Sequence, residues 1–367
     1  MNWIALAKKL AESLFQKMAW EAQYKPLLKS HNISIGLGAD GTKSKLFKQF
    51  EENETFARYF HEKFYPYYIE LVYSGDCTIK IYDLDNDTFN GLYRDLSSVN
   101  PNSSLSKKNF PYLIPDDELH LLSTTTHLTY KAEYHGRMYL FFSTNRAIKE
   151  STKINPNSLE YGIEVKEFLK KFSMITAISE NPRQYIDVVC LNPANLSVEV
   201  RLDTSSVVAA KDIKKLFDEV EEAFSSLLPL RITNAFRNPT NFFPLIESLY
   251  KNQACKVCEL SFVSEGGFVH SERDRSKSGD VRKGDFHIGG VGKCKIKPYK
   301  ISTRWGSSFT KTIPYELELS LNSSYRELGK LGCATLEYAT ISSCPKISDL
   351  DEILNILKPK DELSKVG

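Results

Sequence analysis

The feature that most constrains this 367-residue chain is its succession of short strand-like runs, several joined by tight glycine turns. Strand patterns fall at about 67–73, 77–83, 126–133, 137–143, 172–178, 184–190, 196–202, 254–264, 266–272, 293–303, 313–320 and 333–341. His135-Gly136 joins Leu128–Tyr134 to Arg137–Ser143, and Glu265-Gly266-Gly267 joins the runs on either side of it. Both predict hairpins, since glycine supplies the positive φ of a tight turn. Helical patterns interrupt these runs at about 2–23, 43–61, 88–96, 161–171, 206–228, 239–252 and 348–358. In the clearest, Ile213, Leu216, Phe217, Val220, Ala223, Phe224, Leu227 and Leu228 form one continuous stripe that Pro229 closes. Strands and helices do not alternate strictly, so the fold class is α+β, with mainly antiparallel, hairpin-rich sheets flanked by helices. Polar stretches at 98–110 and 150–158 read as linkers, and the second places a boundary near 155. This divides the chain into an N-terminal lobe, 1–155, and a C-terminal lobe, 156–367.

Charge and cysteine content narrow the class. The net charge is only +2, so any polyanion-binding surface must come from local segregation of charge. The seven cysteines are odd in number and irregularly spaced, which suits free thiols in a reducing, cytoplasmic setting. No apolar run approaches the roughly 20 residues of a membrane span. Lys8, Lys9, Glu12 and Lys17 interrupt the N-terminal apolar residues, so 1–18 reads as an amphipathic helix rather than an export signal. The sequence therefore predicts no membrane partner.

Several motifs are partial. Gly36-Leu-Gly38-Ala-Asp-Gly41 spells the glycine pattern of a dinucleotide site, but no second strand follows at the required distance. An anion-binding turn at Gly38, Gly41, Lys43 and Ser44 is the residual reading, and a small-molecule ligand there stays open. Asp83, Asp85 and Asp87 have calcium-loop spacing, but Arg94 stands where a bidentate glutamate is needed. Cys255-Lys-Val-Cys258 lies in a strand pattern that sends the two sulfurs to opposite faces, and no second pair follows. No metal site is predicted from these residues. The runs 68–72 with 78–82, and 185–189 with 197–201, share a hairpin grammar that hints at an internal repeat.

Two candidates for chemistry or binding remain. Asp187 on one strand pattern and Glu199-Val-Arg201 on the next lie in the order helix, three strands, helix, strand. Over about residues 160–264 this resembles the PD-(D/E)XK nuclease core. That resemblance implies that Asp187 and Glu199 would hold Mg²⁺ or Mn²⁺, which activates water. Arg201 occupies the lysine position. It can stabilise negative charge but stays protonated, so it cannot act as the base. On the simpler reading, Glu199 and Arg201 are the solvent-facing residues of an alternating strand.

The second candidate is the segment 273–304. It holds Arg273, Arg275, Lys277, Arg282, Lys283, Lys293, Lys295, Lys297, Lys300 and Arg304 against three acids, a local balance of +7. Its first part is glycine-rich and reads as a loop. Lys293, Lys295 and Lys297 then alternate along one strand face, with Tyr299 and Trp305 available for stacking. Glu316 and Glu318 on a nearby strand are the residues that would neutralise the lysines. The sequence thus predicts a non-enzymatic nucleic-acid-binding subunit or adaptor that acts with partner proteins and needs no cofactor. A metal-dependent nuclease is the alternative. A third reading, a protein-interaction module, rests on the aromatic stretch 56–68, although most of those rings suit a core.

Overall fold

The computed structural model describes residues 2–155, 167–169, 171–205, 210–229, 236, 238–275, 279–308, 313–330 and 334–358. The α+β expectation holds: one ten-stranded antiparallel sheet is flanked by helices. Its strands are β1 (Cys77–Asp83), β2 (His127–Tyr134), β3 (Arg137–Ile154), β4 (Ile175–Asn192), β5 (Ser197–Asp203), β6 (Lys256–Ser264), β7 (Val269–Arg273), β8 (Ile296–Ser308), β9 (Pro314–Asn322) and β10 (Ala339–Ser342). They lie in the order β2-β3-β4-β5-β1-β10-β9-β8-β6-β7, with β2 and β7 at the edges. The proposed boundary near 155 falls between β3 and β4, which pair continuously from Met138↔Leu191 to Ile154↔Ile175. Residues on both sides of 155 contribute to the same sheet, since β1 lies between β5 and β10.

The helices are α1 (Trp3–Lys17), α2 (Lys25–Ser30), α3 (Gly38–Glu52), α4 (Glu54–Tyr73), α5 (Asn86–Ser97), α6 (Leu105–Asn109), α7 (Ile213–Ser225), α8 (Leu245–Lys251), α9 (Asp285–Val291) and α10 (Ile347–Leu357). A single π-helical turn, Trp20–Tyr24, joins α1 to α2. The expected helix at 43–61 is two helices. Asn53 separates them, its side chain accepting from the Phe56 N–H at 2.9 Å as the cap of α4. The expected helix at 161–171 lies largely outside the described residues.

Two strand expectations are corrected. Residues 67–73 belong to α4, whose buried Phe60, Phe64, Tyr68 and Leu71 follow a helical spacing. The aromatic and β-branched residues there satisfy strand preference equally well, and packing decides between the two. The first run of the proposed internal repeat, 68–72, is therefore helical, whereas its partner run 78–82 lies in β1. The expected strands 172–178 and 184–190 are one strand, β4, interrupted in sequence by Asn181-Pro182. Pro182 is tolerated because β5 joins β4 only from Val188 onward, leaving that flank of β4 an edge.

The sheet has two unlike faces. One is apolar except on β5, where Glu199, Arg201 and Asp203 point to it. Phe141, Val188 and Ile186 pack beneath α1–α4, while Ile79, Ile341, Leu319, Ile301 and Leu260 pack beneath α8 and α10. The other face is apolar only from β2 to β1, where Phe142, Val189, Val200 and Tyr82 meet α5 and α7. Beyond β1 it becomes polar. Thr78, Thr340, Ser320 and Ser302 stand opposite one another across four strands. Their hydroxyls pair as Thr78···Thr340, 3.2 Å, and Ser302···Ser320, 2.7 Å. The aromatic stretch 56–68 lies on α4, with Phe60, Phe64 and Tyr68 fully buried. No helix among the described residues is long and apolar enough to cross a membrane.

Candidate nucleic-acid interface

The basic segment lies at the β7 end of the sheet, and its cations fall into two groups. Arg282, Lys300 and Arg304 are committed to the fold. Arg282 forks onto Asp280, at 2.9 and 2.7 Å, and donates to the carbonyls of Tyr250, Asn252 and Cys255 at 2.8, 2.7 and 2.6 Å. It fastens the loop before α9 to the end of α8 and the start of β6. Lys300 pairs with Glu259 at 2.5 Å, and Arg304 pairs with Glu318 and, at 3.6 Å, with Glu316. Glu316 also takes Lys256 at 2.8 Å. The two glutamates expected to neutralise the lysines are thus occupied by Arg304 and Lys256.

The second group is exposed. Arg275, Lys283, Lys293, Lys295 and Lys297 have no ion-pair partner among the described residues, and Arg273 has only a 3.8 Å contact with Glu259. Lys277 lies outside the described residues. The expectation that Lys293, Lys295 and Lys297 line one strand face is corrected: β8 begins at Ile296, so only Lys297 is in the strand. Lys295 is instead held at the β6–β7 turn, where the Glu265 N–H donates to its carbonyl at 3.1 Å. Gly267, at φ +81°, closes that turn by donating to the Ser264 carbonyl at 2.8 Å.

Tyr299 and Trp305 do not serve as stacking platforms; Tyr299 is buried and Trp305 packs against the core beneath α8. The exposed rings here are Phe268, 70% exposed, beside the β6–β7 turn, and Phe286, 77% exposed, on α9. Sequence reasoning missed both because an apolar residue is expected inside. Their neighbours Gly266, Gly267, Gly289 and Gly290 were the available signal of an exposed setting.

The nuclease-like set is not assembled. Asp187 and Glu199 are both buried, but they leave the sheet on opposite faces. Asp187 lies beside Phe142 and pairs with Arg146, and it accepts the Asp203 N–H at 2.9 Å. Burial raises its pKa, with Arg146 opposing the rise. Glu199 lies on the other face and pairs with Arg201, which also donates to the Tyr73 carbonyl at 2.9 Å. Neither residue is solvent-facing, because α4 and its neighbours cover this part of β5. No cluster of three metal-ligating side chains exists among the described residues.

Around these pairs lies a buried polar network that the sequence did not reveal. Lys17 pairs with Asp203, which also accepts from the Ser205 hydroxyl at 2.7 Å. Burial opposes the ionisation of Asp203, but Lys17 and Ser205 outweigh it and its pKa falls. Asp76 is pushed up to about 6 by burial, although it accepts the Cys344 N–H at 3.1 Å. Burial also pushes Cys77 up to about 12, which disfavours its thiolate. Lys17, Asp76, Cys77, Arg201, Asp203 and Ser205 border a cavity of about 30 Å³, room for water rather than a substrate.

The turn at Gly36–Ser44 is filled by its own residues. The Thr42 hydroxyl accepts from the Gly36 N–H at 2.9 Å and donates to the Gly38 carbonyl at 2.7 Å. A Cβ on Gly36 would collide with the Gly41 carbonyl, and Gly38 has φ +70°. Lys43 turns away to Glu12, 3.3 Å, and Asp116, 3.6 Å, while Gly41 and Ser44 lie within α3. The residues named for an anion site are therefore not brought together around a vacant centre. Cys255 and Cys258 direct their sulfurs to different carbonyls, those of Asn252 and Ser302.

The sequence matches no family model, and a comparison with curated proteins finds no relative.

Proposed function

We propose that this protein is a non-enzymatic nucleic-acid-binding subunit or adaptor whose contact surface is the β6–β7–β8 end of the sheet. The observation that carries this reading is the division of the cations. Three are consumed by the fold, whereas Arg273, Arg275, Lys283, Lys293, Lys295 and Lys297 stay exposed, as do Phe268 and Phe286 in the same segment of the chain. A surface of this kind neutralises phosphates and releases their counterions, while the rings accept bases. Partner proteins are part of the proposal, because no complete catalytic constellation accompanies the surface among the described residues.

The test is a titration of the protein against labelled DNA and RNA at low and moderate salt. Steeply salt-dependent binding that is lost in the Lys283→Glu/Lys295→Glu/Lys297→Glu variant supports the reading. Binding unchanged in that variant, or no binding at all, overturns it.

A further inference from the structure

At the β2 edge of the sheet, opposite the cationic surface at β7, the first residue of β2 meets the first turn of α6. His127 Nε2 lies 2.8 Å from the Ser106 hydroxyl, and His127 Nδ1 lies 3.0 Å from the Thr125 carbonyl. A carbonyl can only accept, so in the neutral ring Nδ1 carries the proton. Nε2 then has a free lone pair, and the Ser106 hydroxyl donates to it. A hydroxyl held against a base that a third group orients is the arrangement of an activated nucleophile.

The neighbours of Ser106 suit that role. The Thr129 hydroxyl donates to Ser106 Oγ at 3.2 Å, and the Ser104 hydroxyl lies 3.1 Å from it. The Lys107 N–H donates to Ser104 Oγ at 3.1 Å, which leaves the Ser104 proton free to point at Ser106. Two donors on Oγ stabilise the negative charge that builds there as its own proton moves to His127. Ser106 is only 1% exposed, but it and His127 both line an open cleft of about 250 Å³. Leu105, Leu121 and Leu122 give that cleft an apolar wall. Its volume falls just below the usual range of small-ligand sites, which suits a short acyl chain and not a polymer.

We infer that Ser106 is a nucleophile that accepts a short acyl group from an activated ester, with His127 as its base and the Thr125 carbonyl positioning the imidazole. A bond forms between Ser106 Oγ and the ester's carbonyl carbon as the Oγ proton passes to His127 Nε2. The ester C–O bond then breaks, and the departing oxygen takes the proton from His127. The products are acyl-Ser106 and a free alcohol or phenol. The inference concerns a different part of the molecule from the nucleic-acid reading and does not depend on it.

The experiment treats the full chain with p-nitrophenyl acetate and follows acetylation at position 106 by peptide mass mapping, which separates it from reaction at lysines and at the free thiols. Wild type should carry the acetyl group on Ser106, and Ser106→Ala should carry none there. His127→Gln still fills the site but is not basic, and it should slow acetylation of Ser106 by roughly 10²- to 10⁴-fold. Ser106→Cys puts a thiol in the place of the hydroxyl and should also be acetylated at position 106, so the assignment stays testable where Ser106→Ala does not fold. No acetyl group on Ser106 in wild type, or an unchanged rate in His127→Gln, overturns the assignment. Either result leaves the reading of the cationic surface as it was.

Discussion

The Asp203 N–H donates to Asp187 Oδ1 at 2.9 Å, although the two side chains leave the sheet on opposite faces. On one face Asp187 holds Arg146; on the other Asp203 holds Lys17. One backbone hydrogen bond therefore couples two buried ion pairs through the thickness of the sheet. Asp187→Ala should destabilise the protein by about 3–5 kcal/mol, because it strands the Arg146 charge and the Asp203 N–H together. Asp187→Asn, which keeps an acceptor, should cost less. Urea unfolding of the two variants gives the comparison.

Glu199 and Arg201 are almost wholly buried and satisfy one another. Arg201→Met alone should cost about 3–5 kcal/mol, since it leaves an uncompensated carboxylate. The double variant Glu199→Leu/Arg201→Met should recover most of that loss. A double variant as unstable as the sum of the two single variants would mean that the pair is not the relevant unit.

Asp76 gives stability a definite pH dependence. Its folded pKa, about 6, lies above the ordinary 3.8, so the folded state binds this proton more tightly than the unfolded chain. Its contribution is fully present below about pH 4 and is lost as pH rises through 6. Asp76→Asn should remove that part of the slope in a series of urea titrations between pH 4 and 7. Asp203 acts in the opposite sense, its stabilisation being lost as pH falls, which is why the difference between wild type and Asp76→Asn is the informative quantity.

Arg282 separates a structural cation from a binding one. Lysine keeps the charge but cannot reproduce the fork onto Asp280 together with three carbonyl contacts. Arg282→Lys should cost roughly 2–3 kcal/mol and increase protease sensitivity between β7 and β8. Lys297→Glu should leave stability within about 0.5 kcal/mol and instead lower the salt dependence of nucleic-acid binding.

The sequence disclosed these features unevenly. The stripe of α7 and the hairpins at Gly136 and Gly267 were legible because their signals are local: period, glycine and a terminating proline. Residues 67–73 were not, since Tyr68, Ile69 and Val72 suit a strand and only their burial against α1 and the sheet makes them helical. The long β4 was divided because Pro182 reads as a turn unless one knows that its flank is unpaired. The basic segment was visible as composition, but sorting Arg282 from Lys297 required knowing which carbonyls and carboxylates lie within reach. Lys17 and Asp203 are 186 residues apart, and nothing in either neighbourhood announces the other.

The place of β1 beside β10 bears on how the chain is made. Thr78 and its partner Thr340 are separated by 262 residues. At ribosomal rates of about 5–20 residues per second, β1 emerges roughly 13–50 s before the strand that completes its far side. During that interval β1 presents an unprotected row of amides and carbonyls, with Ile79 and Ile81 uncovered on their C-terminal flank. Nascent chains of this protein should consequently depend on chaperone protection, until synthesis of the last strands lets the sheet close.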